Sequence, residues 1–372
     1  MTDSSAMQIS PMQRALSLAR QALGSTSPNP AVGAVIVRDG SIVGEGCTLP
    51  PGQRHAEIGA LEQAGPLAVG ATLYTTLEPC CHYGRTPPCT EAVIASGIRE
   101  VVVAEVDPNP LVSGRGMRLL EEAGIETRLE ATPGVSELYE AFAKHVNTGL
   151  PFVTAKFAMS LDGKIATYTG DSKWVTGPLA RQEVQQMRRE CDAVMVGINT
   201  VLADDPQLTA RDEDGNALDR QPLRVVLDSH CRTPSSAKML GERGKTLVVT
   251  SRDAAGTEIE RLRQAGAEVW LSPLNSPGMV EMGEVLLELG HRGVVNLLVE
   301  GGGVTLGTLF DGGLVDKVQV FIAPTIIGGS MAASPIEGHG PEFMSQAWHV
   351  ERTEIRQIGP DWLITGYPAR AR

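Results

Sequence analysis

His55-Ala56-Glu57 and Glu78-Pro79-Cys80-Cys81-His82-Tyr83-Gly84-Arg85-Thr86-Pro87-Pro88-Cys89 constrain this chain more tightly than any other feature. One nitrogen ligand (His55) and two sulfur ligands (Cys80, Cys89) suffice to hold Zn²⁺. They leave the fourth tetrahedral position open, as a catalytic site requires and a closed structural site does not. The fold must therefore bring distant segments together. His55 stands at or just before a helix start, and Cys80 at the C-terminal end of a strand, where open α/β sheets tend to place their sites. Cys89 falls in the first turn of the next helix, whose N-terminus favours a thiolate.

Glu57, two residues from the ligand, can hold an activated water without binding the metal. It would accept that water's proton and return it to a ring nitrogen and a leaving amine. H-x-E…P-C-x-x-C is the pattern of zinc-dependent base deaminases. This chain matches the first half and stretches the second, with eight residues between Cys80 and Cys89. The alternative is a closed site with Cys81 or His82 as fourth ligand, or plain buried cysteines. Adjacent cysteines rarely ligate one ion together, and a structural site has no use for Glu57.

A length of 372 residues favours two domains. The formal net charge of −12 argues against nucleic acid as a substrate, because a polyanion binder needs a basic face. No window approaches a membrane span, and residues 1–10 lack the basic start and apolar stretch of a signal peptide. A cytoplasmic protein with no membrane association is expected, with a homo-oligomer as its assembly. Three of the six cysteines fall within ten positions, which in a reducing compartment points to metal rather than disulfides.

Hydrophobic periodicity predicts an α/β protein in two parts. Ser10-Pro11 opens a helix whose stripe of Met12, Ala15, Leu16, Ala19 and Leu23 stops at Gly24. Residues 31–37 and 41–44 read as strands joined by the turn Asp39-Gly40. Helices are expected over 55–64, from 87 to Gly97, over 116–123 and over 135–146, with strands over 72–77 and 101–106. The boundary falls at Asn147-Thr148-Gly149-Leu150-Pro151, giving domains 1–149 and 150–372. The second part predicts strands over 152–158, 193–196, 224–227, 246–250, 268–271, 296–299 and 318–322. Helices over 178–189, 258–265 and 279–289 separate some of them, and such alternation implies a largely parallel sheet. Residues 212–219 read as a surface loop.

Glu300-Gly301-Gly302-Gly303 lies between a strand and a helical stretch, where backbone N–H groups can approach a phosphate. It is not the dinucleotide fingerprint G-x-G-x-x-G, and alone such a run is more often a tight turn. Arg188 and Arg211 are either phosphate clamps or solvated charges, the second especially for Arg188, which lies in a charged helical run with Arg189 and Glu190. Lys156 is either a buried charge near the reacting carbon or a strand-end lysine, and Trp174 could equally be core.

The loop from Pro79 to Cys89 resembles the characteristic insertion of the bifunctional riboflavin-biosynthesis deaminase/reductase family. Pro28-Asn29-Pro30-Ala31-Val32-Gly33 and Asp107-Pro108-Asn109-Pro110 resemble it too, and imply substrate-positioning loops with Asn29 a contact; His82 is a further candidate contact. In the second part Lys156-Phe157-Ala158-Met159-Ser160-Leu161-Asp162-Gly163-Lys164, Ser172-Lys173-Trp174-Val175-Thr176 and the run from Gly197 to Arg211 resemble the reductase half. Many relatives carry His where this chain has Thr48, so position 48 is assigned no role.

The resemblance implies a cytidine-deaminase-like three-layer domain followed by a dihydrofolate-reductase-like domain using NADPH. Ala158, Trp174, Thr200, Asp204, Ser229, Gly302, Gly303, Val304, Thr305, Leu306, Gly307 and Thr308 would contact that cofactor. Ser172, Arg188, Leu208, Arg211 and Glu300 would contact a phosphorylated pyrimidine substrate. Ser229 and the pair Ser251-Arg252 are candidate neighbours of the cofactor's 2′-phosphate. The expected activity is deamination of a diaminopyrimidinone ribosylamine phosphate, then reduction of its ribosyl group. The rivals are a nucleic-acid base deaminase with an accessory nucleotide-binding domain, and a non-enzymatic nucleotide sensor built on a structural zinc.

Overall fold

The computed structural model describes residues 9–273, 278 and 280–370. The signal-peptide reading of residues 1–8, and the start at 279 of the helix expected over 279–289, lie outside them. The chain divides into two compact units, Met1–Gly149 and Leu150–Arg372. Among the described residues no helix is long and apolar enough to cross a membrane.

The first unit runs α1 (Pro11–Ala22), β1 (Gly33–Arg38), β2 (Ser41–Cys47), α2 (Ala56–Ala64), β3 (Thr72–Thr75), α3 (Cys89–Ala95), β4 (Glu100–Val103), α4 (Arg115–Glu122), β5 (Glu126–Leu129) and α5 (Ser136–Thr148). The sheet order is β2-β1-β3-β4-β5. β1 is antiparallel to both neighbours, whereas β3, β4 and β5 are parallel. Ser10 caps α1 by accepting the Gln13 N–H, and Pro11 occupies the first turn.

Strand alternation sets the layers. A Cβ at Gly33 would meet the Ala15 carbonyl of α1. Gly44 and Gly46, paired with Ile36 and Ala34 on the other face of β1, would meet Ala60 and Ala56 carbonyls of α2, each at 2.2 Å. α1 and α2 thus cover opposite faces, giving three layers. α5 joins this core through Tyr139, whose buried hydroxyl pairs with Thr76 Oγ1 at 2.6 Å and donates to the Ala31 carbonyl at 3.2 Å. Phe142 and Val135 complete the same apolar cluster.

The second unit runs β6 (Phe152–Ser160), α6 (Pro178–Glu190), β7 (Ala193–Gly197), α7 (Ile198–Asp204), β8 (Leu223–Leu227), α8 (Lys238–Gly241), β9 (Thr246–Ser251) and α9 (Gly256–Gln264). It continues through β10 (Glu268–Ser272), α10 (Met282–His291), β11 (Asn296–Val299), α11 (Gly303–Asp311), β12 (Lys317–Ala323), β13 (Trp348–Ile358) and β14 (Asp361–Arg370). The order is β10-β9-β8-β7-β11-β6-β12-β14-β13. The first seven are mutually parallel, and the last two form an antiparallel hairpin.

Both faces of this sheet are covered. Val194, Val196, Val226 and Val248 pack with Met187, Ile259 and Leu262 on one side. Met195, Val225, Leu247 and Val249 pack with Leu286, Leu289, Leu306 and Phe310 on the other. Strands buried on both faces read as unbroken apolar runs, which is why the parallel strands stood out in the sequence. Residues 212–219 form a loop tied by an isolated bridge between Arg211 and Ala217.

Candidate functional site

In the first unit His55 is the residue capping α2, and Glu57 lies in that helix's first turn, 3% exposed. The close seat of α2 on Gly44 and Gly46 fixes both. β3 delivers the loop containing Cys80, and Cys89 is the first residue of α3. His55 Nδ1 lies 3.6 Å from Cys80 Sγ and 3.4 Å from Cys89 Sγ, and the three ligand atoms lie within 4.8 Å of one another. A tetrahedral ion with Zn–N about 2.1 Å and Zn–S about 2.3 Å separates nitrogen from sulfur by about 3.6 Å. The donor set therefore fits zinc.

The Cys89 N–H donates to Cys80 Sγ at 3.3 Å, and Thr90 donates to the Cys80 carbonyl through both N–H and hydroxyl. A hydrogen bond from the Cys89 thiol, then His55, pulls the Cys80 thiol down to about 4 despite burial. Cys89 is held high because it keeps the shared proton and is buried. Burial, then the Cys80 thiolate, pushes the Glu57 carboxyl up to about 7.

The rival fourth ligands stand apart. Among the described residues the cluster of ligating groups contains His55, Cys80 and Cys89 alone; Cys81 Sγ points to the Leu111 carbonyl at 4.0 Å. His82 Nδ1 is buried with no hydrogen-bond partner among the described residues. Thr48 is buried, and its hydroxyl accepts the Val32 N–H at 3.1 Å, a purely structural contact.

Glu78 was not singled out in the sequence. Its buried carboxylate accepts N–H groups of Asp107, Gly114 and Met117 at 3.2, 2.8 and 3.1 Å, anchoring the Asp107–Asn109 loop beside the cysteines. Only its place beside Pro79-Cys80 hinted at this. Asp107 in turn accepts the Asn109 N–H at 2.8 Å, and burial pushes its carboxyl up to about 6.

In the second unit a cavity of about 1190 Å³ opens at the C-terminal ends of the central strands. Ala158, Ser172, Trp174, Arg188, Thr200, Asp204, Leu208, Arg211, Ser229 and Glu300 line it, with Gly302, Gly303, Val304, Thr305, Leu306 and Thr308. Gly307 does not: the chain at Glu337 packs directly over it, and a Cβ there would meet the Glu337 carbonyl at 2.0 Å. Ser251 and Arg252 also lie off the cavity wall, whereas Ser229 is on it.

Gly302 has φ +84° at the start of α11, and a Cβ there would press on Thr200 Oγ1 at 3.2 Å. Gly302 and Gly303 thus put the N-terminus of α11 on the cavity wall, a position that favours a phosphate. Trp174 is 71% exposed rather than core, with the Arg181 guanidinium 4.6 Å above its ring. Ser172 donates to Asp204 at 3.1 Å. Leu208, at the cavity wall, has φ +53° and is buried.

Arg188 is not the open phosphate clamp its charge suggested. Its fork grips Glu300 at 2.5 and 3.0 Å and donates to the Thr209 carbonyl at 3.2 Å. Lys156 Nζ lies 3.6 Å from Glu300 Oε2, the oxygen that also accepts from Arg188 Nη2. The Glu300 side chain is 6% exposed. Burial alone would raise its carboxyl, but Arg188 and Lys156 hold it down at about 2. Burial lowers Lys156. Arg211 instead bonds neutral partners, Thr209 and Gln207, and keeps its charge available to an anion.

Comparison with known proteins agrees with this division. Residues 6–105 match the family model "Cytidine and deoxycytidylate deaminase zinc-binding region", and residues 151–364 match "RibD C-terminal domain". The riboflavin biosynthesis protein RibD of Bacillus amyloliquefaciens is 44% identical, covering 96% of this chain and 95% of its own. A solved Acinetobacter baumannii RibD superposes with TM-score 0.85 at 38% identity, over 97% of this chain and 98% of that one. A Thermotoga maritima structure, described as a diaminohydroxyphosphoribosylaminopyrimidine deaminase/5-amino-6-(5-phosphoribosylamino)uracil reductase, gives TM-score 0.82 at 36% identity, over 96% and 98%. This chain belongs to the RibD family of bifunctional riboflavin-biosynthesis enzymes, its deaminase domain cytidine-deaminase-like and zinc-binding, its reductase domain dihydrofolate-reductase-like.

Proposed function

We propose that the first unit deaminates 2,5-diamino-6-(5-phosphoribosylamino)pyrimidin-4(3H)-one, and that the second reduces the ribosyl group with NADPH to give 5-amino-6-(5-phosphoribitylamino)uracil. The observation that carries this reading is the three-ligand cluster with Glu57 buried two residues beyond His55. The substrate is taken from the description of the Thermotoga maritima relative. Six unpaired cysteines suit a reducing cytoplasm.

His55, Cys80 and Cys89 hold the metal in this reading, and zinc when bound makes a water acidic near pH 7. The Glu57 carboxylate takes a proton from the attacking water as its oxygen bonds the amine-bearing ring carbon. It passes that proton to the ring nitrogen. It then takes the second proton from the newly formed C–OH and gives it to the departing amine, so that the C–N bond breaks, a carbonyl forms and ammonia leaves. Burial excludes bulk water that would compete for that proton.

In the second unit the backbone at Gly302–Gly303 and the start of α11 receive a cofactor phosphate, and Trp174 offers a flat face. NADPH supplies the reducing equivalent. Arg211 holds the substrate phosphate with a charge that its neutral partners Thr209 and Gln207 leave uncompensated, and the Lys156–Glu300–Arg188 wall sets the polarity beside the ring-opened sugar.

The test follows ammonia release and NADPH oxidation together, in wild type and Glu57→Ala. Loss of both in the variant, with NADPH oxidation restored by pre-deaminated substrate, is the expected result. Ammonia release that persists with zinc bound would overturn the role of Glu57.

A further inference from the structure

The long spacer between the two cysteines has a second consequence at the metal cluster. With Nδ1 of His55 directed at both sulfurs, its other ring nitrogen, Nε2, lies 3.3 Å from Thr86 Oγ1. A neutral imidazole that offers its Nδ1 lone pair to a metal must carry its proton on Nε2. Nε2–H is then a donor, and the Thr86 hydroxyl oxygen is its acceptor. Metal-bound histidines need such a partner, because it fixes the tautomer and the ring plane and raises ligand basicity.

We propose that Thr86 is a positioning residue for the His55 ligand, and that the spacer between Cys80 and Cys89 serves to deliver it. This rests on the reading of His55, Cys80 and Cys89 as the zinc site. Among the described residues His55 caps α2 without a side-chain hydrogen bond to the helix, so Thr86 is the partner that Nε2 meets. The spacer is folded to bring Thr86 inward. The Tyr83 hydroxyl donates to the Glu91 carboxylate at 2.7 and 2.9 Å, tying the outer part of the loop to α3. The Gly84 N–H donates to the Thr86 carbonyl at 3.3 Å, closing a tight turn just before Thr86. Pro87 and Pro88 restrict the backbone that follows. A spacer of two residues, as in P-C-x-x-C, has no such turn to place a hydroxyl behind the histidine. The additional length does metal chemistry as well as shaping the loop.

The experiment measures zinc affinity of the full chain by competition with a chromogenic chelator, for wild type, Thr86→Val and Thr86→Ser. Valine keeps the shape and removes the acceptor; serine restores the acceptor and drops only the methyl. Thr86→Val is expected to bind zinc roughly 10–100-fold more weakly, the range typical of lost outer partners, and Thr86→Ser to stay close to wild type. Thermal unfolding of the chelator-stripped proteins is compared alongside, and the valine variant is expected to match wild type there. Equal zinc affinity in wild type and Thr86→Val would overturn the proposal. So would a serine variant as weak as valine, or a metal-free valine variant that melts early, since either makes Thr86 a packing residue. A wild type that takes up no zinc would instead remove the metal reading itself.

Discussion

Replacing Glu300 by Gln should destabilise the second unit in a way that depends on pH. The carboxylate is 6% exposed between Arg188 and Lys156, so its removal leaves two cations facing each other away from water. Breaking a buried pair in this manner costs about 3–5 kcal/mol. The depressed pKa yields a similar figure: moving a carboxyl from 4.5 down to about 2 is worth about 3 kcal/mol. Lys156, whose charge burial already disfavours, can release its proton in the variant, and this sets the lower end. The sign follows from the folded value being the lower one. The contribution is complete above pH 4.5 and is lost as pH falls toward 2, by about 1 kcal/mol at pH 4 and about 2 kcal/mol at pH 3. Glu300→Gln lacks that slope, so the gap between the two proteins should narrow on acidification. All four tryptophans, Trp174, Trp270, Trp348 and Trp362, lie in the second unit. Urea unfolding followed by tryptophan fluorescence therefore reports this unit alone. A variant within about 1 kcal/mol of wild type at pH 7, or a gap unchanged at pH 4, would refute the reasoning.

Two further outcomes are open to direct measurement. Stripping zinc with a chelator should abolish ammonia release while leaving NADPH-dependent reduction of pre-deaminated substrate intact, and re-addition of zinc should restore the first; loss of both activities would mean the units do not work separately. Gly46→Ala places a methyl 2.2 Å from the Ala56 carbonyl, which should lift the helix start that carries His55 and Glu57. The expected cost is about 1–3 kcal/mol by calorimetry, with weaker zinc binding in chelator competition, and an unchanged affinity would show that the helix seat does not control the ligand.

Much of the fold was readable because its signals are local. Ser10-Pro11 caps a helix wherever it stands, and Asp39-Gly40, both at positive φ, turns a hairpin. The parallel strands announce themselves by unbroken apolar runs. β5 does not: Glu126–Leu129 is a mostly exposed edge with no apolar face. β13 is exposed along nearly its whole length, so no alternation marks it, and only pairing with β14 makes it a strand. The same contrast holds at the sites. His55, Glu57, Cys80 and Cys89 were legible because ligand chemistry fixes their types and spacing. Glu78 and Thr86 act through contacts made only after folding. The glycine-rich stretch reads in the sequence as one continuous contact, but Gly307 lies a full helical turn beyond Gly303 on the same face of α11, where the chain at Glu337 packs over it. Arg188 was read by its charge, and its counter-charge sits on a distant segment.

Tyr139 sets how small this deaminase can be made. Its ring and hydroxyl close the first unit's core from α5, beside Val135 and Phe142, well beyond residue 105, where the match to the zinc-binding region ends. A fragment cut at that point would retain every metal ligand and Glu57 yet open the floor beneath β1 and Thr76 to water. The part of the chain recognisable as a deaminase is therefore shorter than the part able to fold as one, and any transplant of this chemistry to another scaffold has to carry α5 along.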